Sequence, residues 1–222
     1  MKRSLVAVIA VIFIIAVIAG GIYYSLYLVP TGLPRLMKLR VGHLLADELH
    51  QPGWVVAKEK NYFADEGFDV VHSEYQYGSV EMEHFAAGEL DVAYVGAVPF
   101  LSARAAGVDV IAVASSNTEG SSLVVAEEIQ NVTDLDGKTI GSPGIGSIQD
   151  YMLDRIKETY NITFSVDRAA VTLLIEKFRN GEIDGYIAWE PHATRAVVEV
   201  PGTHTLLTSH DILAGHQCCV LA

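Results

Sequence analysis

Two serines stand where the sequence predicts that helices begin. Ser79 opens one helical pattern and Ser147 opens another. The first turn of a helix presents unsatisfied backbone N–H groups, so a hydroxyl placed there can bind a polar or negatively charged group of a ligand. The segment Ser147-Ile-Gln-Asp150 also fits a capping box, in which the same hydroxyl only caps the helix. The pattern favours noncovalent recognition of a small solute and leaves both roles of Ser147 open.

Further candidate residues lie in the loops that follow predicted strands. In an open α/β sheet, ligands bind outside the carboxyl ends of the strands. Trp189 stands at such an end, where it either stacks on a ligand or fills the interior of its own lobe. With the two serines, the predicted ligand-binding set is His43, Tyr77, Gly78, Ser79, Gly96, Ala97, Asn117, Gly146, Ser147, Trp189 and Glu190.

The same loops contain carboxylates but neither lysine nor arginine. Asp47, Glu48, Glu119 and Glu190 fall in them. A bare anion would then depend on hydroxyls and on helix dipoles, which contribute about 0.3–1 kcal/mol each when exposed. The loops therefore favour a zwitterion such as an aminosulfonate, whose amine a carboxylate can bind, or a neutral heteroaromatic ring such as a pyrimidine, which an aromatic side chain can stack.

Neither a metal site nor a cofactor is expected. His43, His50 and His192 lack the i, i+4 histidine pair and the Cys/His spacing of zinc sites, and neither His43 nor His50 has a cysteine nearby in the sequence. The chain's two cysteines, Cys218 and Cys219, are adjacent, and we predict that they are buried strand residues without a disulfide framework.

The charge balance excludes nucleic acid as a partner. The chain holds 15 Lys and Arg against 27 Asp and Glu, a formal net charge of −12. Proteins bind nucleic acid largely by neutralising phosphates with lysine and arginine, and no basic stripe exists here.

A repeated segment predicts two similar lobes. Phe85-Ala-Ala-Gly-Glu-Leu-Asp91 recurs as Phe178-Arg-Asn-Gly-Glu-Ile-Asp184. In both copies a helical pattern ends at a glycine, which adopts the left-handed conformation at little cost, and an apolar strand pattern follows. A proline, Pro99 after the first copy and Pro191 after the second, is then expected in the first turn of the next helix.

From Lys38 onward, strand and helix patterns alternate in the manner of an α/β protein. We predict one helix over Pro52–Glu66, a fourth strand over Val108–Ala114 and a polar break at Ser115–Ser122. The expected organisation is lobe 1 over residues 38–116, a hinge crossing over 117–122, lobe 2 over 123–209 and a returning strand over 210–222.

The amino-terminal segment predicts membrane attachment. Residues 1–30 include an uncharged apolar run long enough to span a bilayer, so we expect a transmembrane anchor or signal segment there, with an uncleaved anchor favoured, and a tether over 31–37. Lys2 and Arg3 place the amino terminus in the cytoplasm, which makes the remainder extracytoplasmic. The chain ends on an apolar strand pattern without polar capping, and we expect it to be truncated at its carboxyl end.

Four blocks carry a family resemblance. They are Val55-Ala-Lys-Glu-Lys-Asn-Tyr-Phe-Ala-Asp-Glu-Gly-Phe-Asp-Val70, Gly88-Glu-Leu-Asp-Val-Ala-Tyr-Val-Gly96, Asp134-Leu-Asp-Gly-Lys138 and Ile183-Asp-Gly-Tyr-Ile-Ala-Trp-Glu-Pro191. Their order and spacing resemble the nitrate/sulfonate/taurine-type solute-binding proteins of ABC importers, together with the relatives that bind thiamine-precursor pyrimidines. The resemblance extends from about Lys38 to Leu221.

The resemblance implies a two-lobed periplasmic-binding-protein-like fold of type II. Such proteins close on a small solute between the lobes and deliver it to an ABC permease, so a monomeric, membrane-anchored binding protein is expected rather than an enzyme. The alternative is an enzyme on the same fold that resembles the thiamine-pyrimidine synthase. A third hypothesis, the sensor half of a receptor, leaves only three residues in the cytoplasm.

Overall fold

The computed structural model describes residues 14–24 and 36–222. Residues 14–24 form helix α1, whose described side chains are exposed. In this described part of the chain, no helix is both long and apolar enough to cross a membrane. The anchor expected over residues 1–30 and the tether expected over 31–37 lie mostly outside the described residues. Residues 38–222 form a compact unit of their own.

The first sheet takes strands from both ends of this unit. They lie in the spatial order β2-β1-β3-β10-β4. β1 and β3 are parallel, whereas β10 is antiparallel to both of its neighbours. The elements of this first lobe are β1 (Met37–Leu44), α2 (Pro52–Glu59), α3 (Tyr62–Asp65), β2 (Phe68–Tyr75), α4 (Gly78–Ala86), β3 (Val92–Gly96), α5 (Ala97–Ala105), β4 (Ala114–Thr118) and β10 (Gln217–Leu221).

The second sheet has the same layout, with the spatial order β7-β6-β8-β5-β9. β6 is parallel to β7 and β8, and β5 is antiparallel to β8 and β9. The elements of this second lobe are β5 (Ser121–Ala126), a 3₁₀ turn (Val132–Leu135), β6 (Thr139–Ser142), α6 (Ile148–Tyr160), β7 (Ser165–Arg168), α7 (Val171–Arg179), β8 (Gly185–Trp189), α8 (His192–Glu199), β9 (Thr203–Thr208) and α9 (Ser209–Leu213).

The chain crosses between the sheets twice. It passes from β4 to β5, and it returns from β9 to β10 through α9. In each sheet, the fourth position is filled by the strand that has just crossed. The carboxyl ends of the parallel strands of both lobes therefore face the space between them.

The two copies of the repeated segment have the same structure. Asp91 donates its backbone N–H to the carbonyl of Arg40 and accepts the backbone N–H of Arg40 on its carboxylate at 2.8 Å. Asp184 makes the same pair of bonds with Thr139, with the carboxylate bond at 2.7 Å. Each aspartate thus fixes the start of the neighbouring parallel strand, which explains why the motif ends on this residue.

The sheet of the second lobe is packed on both faces. Neighbouring residues of β5 point to opposite sides, as strand geometry requires. Leu123 packs with Ile140 and Met152 on one face. Val124 packs with Tyr186 on the other. All five side chains are fully buried.

The predicted strand over Val108–Ala114 is wrong. The N–H of Val110 bonds to the carbonyl of Val108 in a turn, and strand β4 lies at Ala114–Thr118, in the segment predicted as a break. β4 is an edge strand paired only with β10, and its residues are half-buried or exposed. An edge strand need not alternate buried and exposed side chains, so the sequence Ser-Ser-Asn-Thr of β4 did not show the alternating pattern that predicts a strand.

Three other predicted boundaries differ. The helix predicted over Pro52–Glu66 is two helices, because Asn61 adopts a left-handed conformation at φ 59° between α2 and α3. The segment 210–222 is not strand throughout, since α9 begins at Ser209 and β10 only at Gln217. Pro191 is the N-cap residue immediately before α8 and not a residue of its first turn, whereas Pro99 lies in the first turn of α5 as predicted.

Candidate ligand-binding site between the two lobes

A cleft lies between the carboxyl ends of the two sheets. The first lobe contributes Asp47, His50, Tyr77, Gly78, Gly96, Cys218 and Cys219 to its walls. The second lobe contributes Gly144, Ser147, Gln149 and Trp189. The enclosed space is about 30 Å³, which is room for roughly two water molecules. The lobes must separate to admit an organic solute.

Two helices begin at the cleft without a side-chain cap. Tyr77 is the N-cap residue of α4, and its side chain accepts no hydrogen bond from the first turn. Gly96 is the N-cap residue of α5 and has no side chain that could accept one. The two helix starts are close together, because a Cβ on Gly78 would lie 2.8 Å from Cγ of Pro99 in α5. Free N–H groups and the positive ends of two helix dipoles therefore converge on one wall of the cleft.

Ser147 caps a third helix, α6, on the opposite wall. Its hydroxyl accepts the backbone N–H of Asp150 at 3.0 Å. The Asp150 carboxylate does not return to Ser147 but accepts the N–H of Gly146 at 3.2 Å and the guanidinium of Arg168 at 3.0 Å. Only half of the expected capping box forms, and Ser147 caps α6 while lining the cleft.

Trp189 and His192 of the second lobe reach across to one backbone carbonyl of the first. The indole Nε1–H donates to the Ala46 carbonyl at 3.2 Å, and Nε2 of His192 lies 2.9 Å from the same oxygen. Ala46 itself has a left-handed backbone at φ 57°. Tyr77 also crosses the cleft, since its ring would meet a Cβ on Gly144 at 2.5 Å. These contacts hold the lobes in the closed arrangement.

A buried cluster of a carboxylate, an imidazole and two thiols forms the floor of the cleft. His50 Nδ1 lies 3.4 Å from Cys218 Sγ and 3.6 Å from Asp47 Oδ1. The two sulfur atoms are 3.8 Å apart. His50 has no cysteine nearby in the sequence, but it has one in the structure. Strand β10 brings Cys218 to His50 across 168 residues of sequence.

The cluster shifts the pKa values of its members. Hydrogen bonds with Cys219 and His50 outweigh burial and lower the pKa of the Cys218 thiol to about 5. Burial raises the pKa of Asp47 to about 8. Burial alone would lower the pKa of His50, but the hydrogen bond to Cys218 and the charges of Cys218 and Asp47 raise it.

The crossings are held together at Asn117 and Glu119. Asn117 Oδ1 accepts the N–H of Cys219 at 3.1 Å, which ties β4 to β10. Glu119 Oε1 accepts the N–H of Gly215 at 2.6 Å and lies 2.7 Å from Nδ1 of His210. One carboxylate thus connects the first crossing to the second.

The structure brings five of the eleven predicted site residues to the cleft walls: Tyr77, Gly78, Gly96, Ser147 and Trp189. It places the others elsewhere. His43 stacks on Trp54 inside the first lobe, with ring centroids 4.7 Å apart. Ser79 and Gly146 line a separate groove against α4 and α5. Ala97 is buried at the start of α5.

Asn117 and Glu190 have structural contacts instead of a place in the cleft lining. Asn117 holds the crossing, as described above. Glu190 accepts the hydroxyl of Ser122 at 3.2 Å and the N–H of Thr194 at 3.0 Å, so it caps the start of α8.

The predicted set omitted the whole buried cluster, together with other lining residues such as Gly144 and Gln149. Asp47 and His50 follow β1 at a predicted strand end, so their position in the sequence could have predicted a place at the cleft. The positions of Cys218 and Cys219 could not have done so, because they lie in a strand whose place in the first sheet is decided by tertiary structure. In the described residues, the cleft lining contains no lysine or arginine, as the loop composition predicted.

Comparison with known proteins identifies relatives over most of the chain. The model of the NMT1-like family matches residues 34–222. A protein of Bacillus subtilis (strain 168) named for the binding of aliphatic sulfonates is 29% identical in an alignment of 207 residues. The alignment covers 86% of this chain and 58% of that protein.

Solved structures show the same fold. The periplasmic aliphatic sulphonate-binding protein SsuA of Escherichia coli superposes with a TM-score of 0.69 at 23% identity, over 83% of this chain and 64% of that one. The alkanesulfonate-binding protein SsuA of Xanthomonas axonopodis pv. citri, bound to MOPS, gives 0.70 at 20% identity, over 86% and 66%. The nitrate-binding protein NrtA of Synechocystis PCC 6803 gives 0.67 at 14% identity, over 86% and 56%.

This chain therefore spans about two thirds or less of the length of these relatives. The predicted resemblance to nitrate- and sulfonate-type solute-binding proteins is confirmed, and the fold is the two-sheet α/β fold of periplasmic binding proteins. The match over residues 34–222 shows that the chain belongs to the NMT1-like family.

Proposed function

We propose that the protein is the extracytoplasmic solute-binding component of an ABC importer and that it binds one small organic solute between its lobes. The observation that carries this proposal is the pair of uncapped helix starts, α4 and α5, which face the cleft beside Trp189. The expected solutes are sulfonates such as taurine, nitrate-like anions and pyrimidines. The relatives named for sulfonate and nitrate binding support the sulfonates and the nitrate-like anions in this range.

Within that range the cleft favours an organic solute over a bare inorganic anion. No lysine or arginine lies among its described lining residues, so an anionic group would depend on the N–H groups of α4 and α5 and on the hydroxyl of Ser147 across the cleft. The ring of Trp189 offers apolar surface to the remainder of such a molecule. An aminosulfonate or a neutral pyrimidine meets both conditions.

The mode of action follows from the hinge and the closed arrangement. Solute binding would stabilise the contacts of Trp189 and His192 with Ala46, and the closed lobes would be the surface that a permease recognises. The apolar segment over residues 1–30 would hold a monomeric binding protein at the outer face of the membrane.

Substitution at Ser147 tests the site, because the cap can be kept while the charge is changed. Asparagine and aspartate both cap helices well, but only Ser147→Asp places a carboxylate in the cleft. We expect Ser147→Asn to bind a sulfonate within about threefold of the parent protein and Ser147→Asp to weaken binding at least tenfold, by charge repulsion. Isothermal titration calorimetry with taurine, an alkanesulfonate, nitrate and a hydroxymethylpyrimidine measures this.

The thermal midpoints of the two variants provide the control, since equal midpoints show that helix α6 remains capped in both variants. Sulfonate binding that is equal in the two variants would show that the anionic group does not approach Ser147. A protein that binds none of the four solutes, even at millimolar concentration, would contradict the proposed range of ligands.

The alternative function is an enzyme on the same fold, and one observation favours it. Cys218 and His50 are 3.4 Å apart in the cleft floor, which is the arrangement of an activated nucleophile and its base. An enzyme would convert the bound solute, whereas a binding protein would release it unchanged. Mass spectrometry of the solute recovered after prolonged incubation distinguishes the two.

A further inference from the structure

The buried cluster in the cleft floor has the donor set of a metal site. It contains one imidazole nitrogen, two thiol sulfurs and a carboxylate, from His50, Cys218, Cys219 and Asp47. All four residues are more than nine-tenths buried. Thiolate and imidazole ligands together select zinc and similar soft or borderline cations over calcium and magnesium.

The spacing of the donors fits a tetrahedron. With metal–sulfur bonds of about 2.3 Å and metal–nitrogen bonds of about 2.0 Å, a tetrahedral site has sulfur–sulfur edges of about 3.8 Å and sulfur–nitrogen edges of about 3.5 Å. The structure has 3.8 Å between the two sulfurs and 3.4 Å between Cys218 Sγ and His50 Nδ1. Asp47 Oδ1 lies 3.6 Å from His50 Nδ1, where a tetrahedral oxygen–nitrogen edge is about 3.3 Å.

The sheet is distorted where the two thiols meet. Adjacent residues of a regular strand point to opposite faces. The pairing of β10 with β4 shifts register between Gln217 and Cys219 and again between Cys219 and Val220. These irregularities bring the neighbouring sulfur atoms to one side, where both line the cleft.

The buried side chain of Asp47 points to a bound cation independently of the donor spacing. Its side chain is 2% exposed and lines the cleft, and its Oδ1 has no hydrogen-bond partner in the structure. Its other oxygen accepts the amide of Gln51 at 3.1 Å, which fixes the carboxylate. A buried carboxylate oxygen left without a partner is costly, and a cation at this point would remove that cost.

The surroundings of the second ring nitrogen of His50 also suit a histidine that coordinates a metal. His50 Nδ1 faces the sulfurs, whereas Nε2 lies against Gly120, whose Cβ if present would be 2.7 Å away. The Gly120 backbone therefore lies beside this second ring nitrogen. Metal-bound histidines usually donate their second ring nitrogen to such a backbone or carboxylate acceptor.

We propose that Asp47, His50, Cys218 and Cys219 form a tetrahedral site for zinc or a cation of similar chemistry, which ties the loop after β1 to the returning strand β10. The metal takes the place of the protons on the two thiols and of any proton on Nδ1 of His50 or on the Asp47 carboxyl group, and these protons leave to solvent. The proposed site departs from the expectation of no metal in the sequence analysis. It does not depend on which solute the protein carries.

A second group of donors, His43, His72 and Glu74, provides the control. His72 Nδ1 and His43 Nε2 are already 3.0 Å apart in a hydrogen bond, and the ammonium of Lys58 lies 3.5 Å from His72. The nearby positive charge disfavours a cation there. The variant His72→Ala removes this group and leaves the buried cluster unchanged.

Cobalt(II) titration of the full-length reduced protein tests the proposal. One equivalent of cobalt should give a thiolate-to-metal absorption band and the visible bands of a tetrahedral ion, and zinc should displace it. Cys218→Ser and Cys219→Ser should each reduce the thiolate band to about half and lower zinc affinity about tenfold or more, and Asp47→Asn should lower zinc affinity while keeping the band. His72→Ala should match the parent protein.

The thiol count makes the outcome decisive. A protein with two titratable thiols that shows no cobalt–thiolate band would overturn the proposal, as would visible cobalt bands that persist in the double variant Cys218→Ser/Cys219→Ser. Visible cobalt bands that appear without a thiolate band and disappear in His72→Ala would assign the metal to the second group and equally contradict the proposal. Circular dichroism of each variant confirms that the fold is retained.

Discussion

Glu81 is a buried acid without a hydrogen-bond partner for either carboxylate oxygen. It lies in α4 and is fully buried, and burial raises its pKa well above the usual value. The folded protein therefore keeps a proton that the unfolded chain loses above pH 4.5. Stability must fall as the pH rises above that point, because the folded state binds more protons than the unfolded state.

We expect Glu81→Gln to flatten this pH dependence. The parent protein should lose up to about 1.4 kcal/mol of unfolding free energy per pH unit relative to the variant, from the unfolded pKa up to the folded one. Urea unfolding at pH 5, 6, 7 and 8 measures the difference. Glu83→Gln makes the same charge change at an exposed position of the same helix and should run parallel to the parent. Parallel profiles for Glu81→Gln as well would show that Glu81 ionises normally in the folded protein.

At the scale of the elements, both lobes use a glycine where the first parallel strand meets its neighbours. A Cβ on Gly42 in β1 would lie 2.6 Å from Leu90, and a Cβ on Gly141 in β6 would lie 2.8 Å from Ile183. Leu90 and Ile183 occupy the same position in the repeated segment. The repeat therefore specifies a close packing contact in each lobe as well as a helix end.

We expect Gly141→Ala to destabilise the protein by about 1–3 kcal/mol, since the new methyl group would overlap Ile183 and Tyr186 in a packed core. Thermal or urea unfolding measures this. Gly53→Ala is the matched control, because its Cβ would meet Tyr94 at an ordinary 3.7 Å within helix α2. That change should stabilise the protein by about 0.5–1 kcal/mol. Equal stability of the two variants would mean that β6 moves to accommodate a side chain.

At the scale of the whole molecule, the two crossings connect the lobes, and we propose that they form the hinge. Glu119 connects them through Gly215 and His210, and these hydrogen bonds lower the pKa of Glu119 and raise that of His210. The raised pKa of His210 means that the ion pair forms below that pKa and is lost as the pH rises through it. The cleft has room for about two water molecules, so on this proposal the lobes separate at the crossings to admit a solute.

We expect Glu119→Gln to widen the distribution of distances between the lobes in the solute-free protein and to raise the solute dissociation constant, because the closed form is less populated. Double electron–electron resonance between labels at Glu59→Cys and Thr159→Cys, on exposed positions of α2 and α6, measures the distances. Glu128→Gln, an exposed carboxylate in the second lobe, should leave them unchanged. A distribution unaffected by Glu119→Gln would place the control of opening elsewhere, with the Ala46 contacts as the next candidate.

Part of this structure follows from the sequence alone. The repeated segment, its glycine and its aspartate are local signals, and they predicted paired lobes with helix starts at strand ends because helix ends and strand starts depend on neighbouring residues. Tyr77, Ser147 and Trp189 were found in this way. Edge strand β4 was missed because an edge has no buried face to impose a pattern on its sequence.

The tertiary structure decided which strand ends meet. β10 enters the first sheet between β3 and β4 after the chain has built the whole second lobe. That insertion places Cys218 and Cys219 beside His50 and Asp47. A contact across 168 residues is set by sheet order and loop closure, which no local pattern records. The sequence therefore determined the two halves of the molecule, and only the packing of one strand determined the floor of the cleft between them.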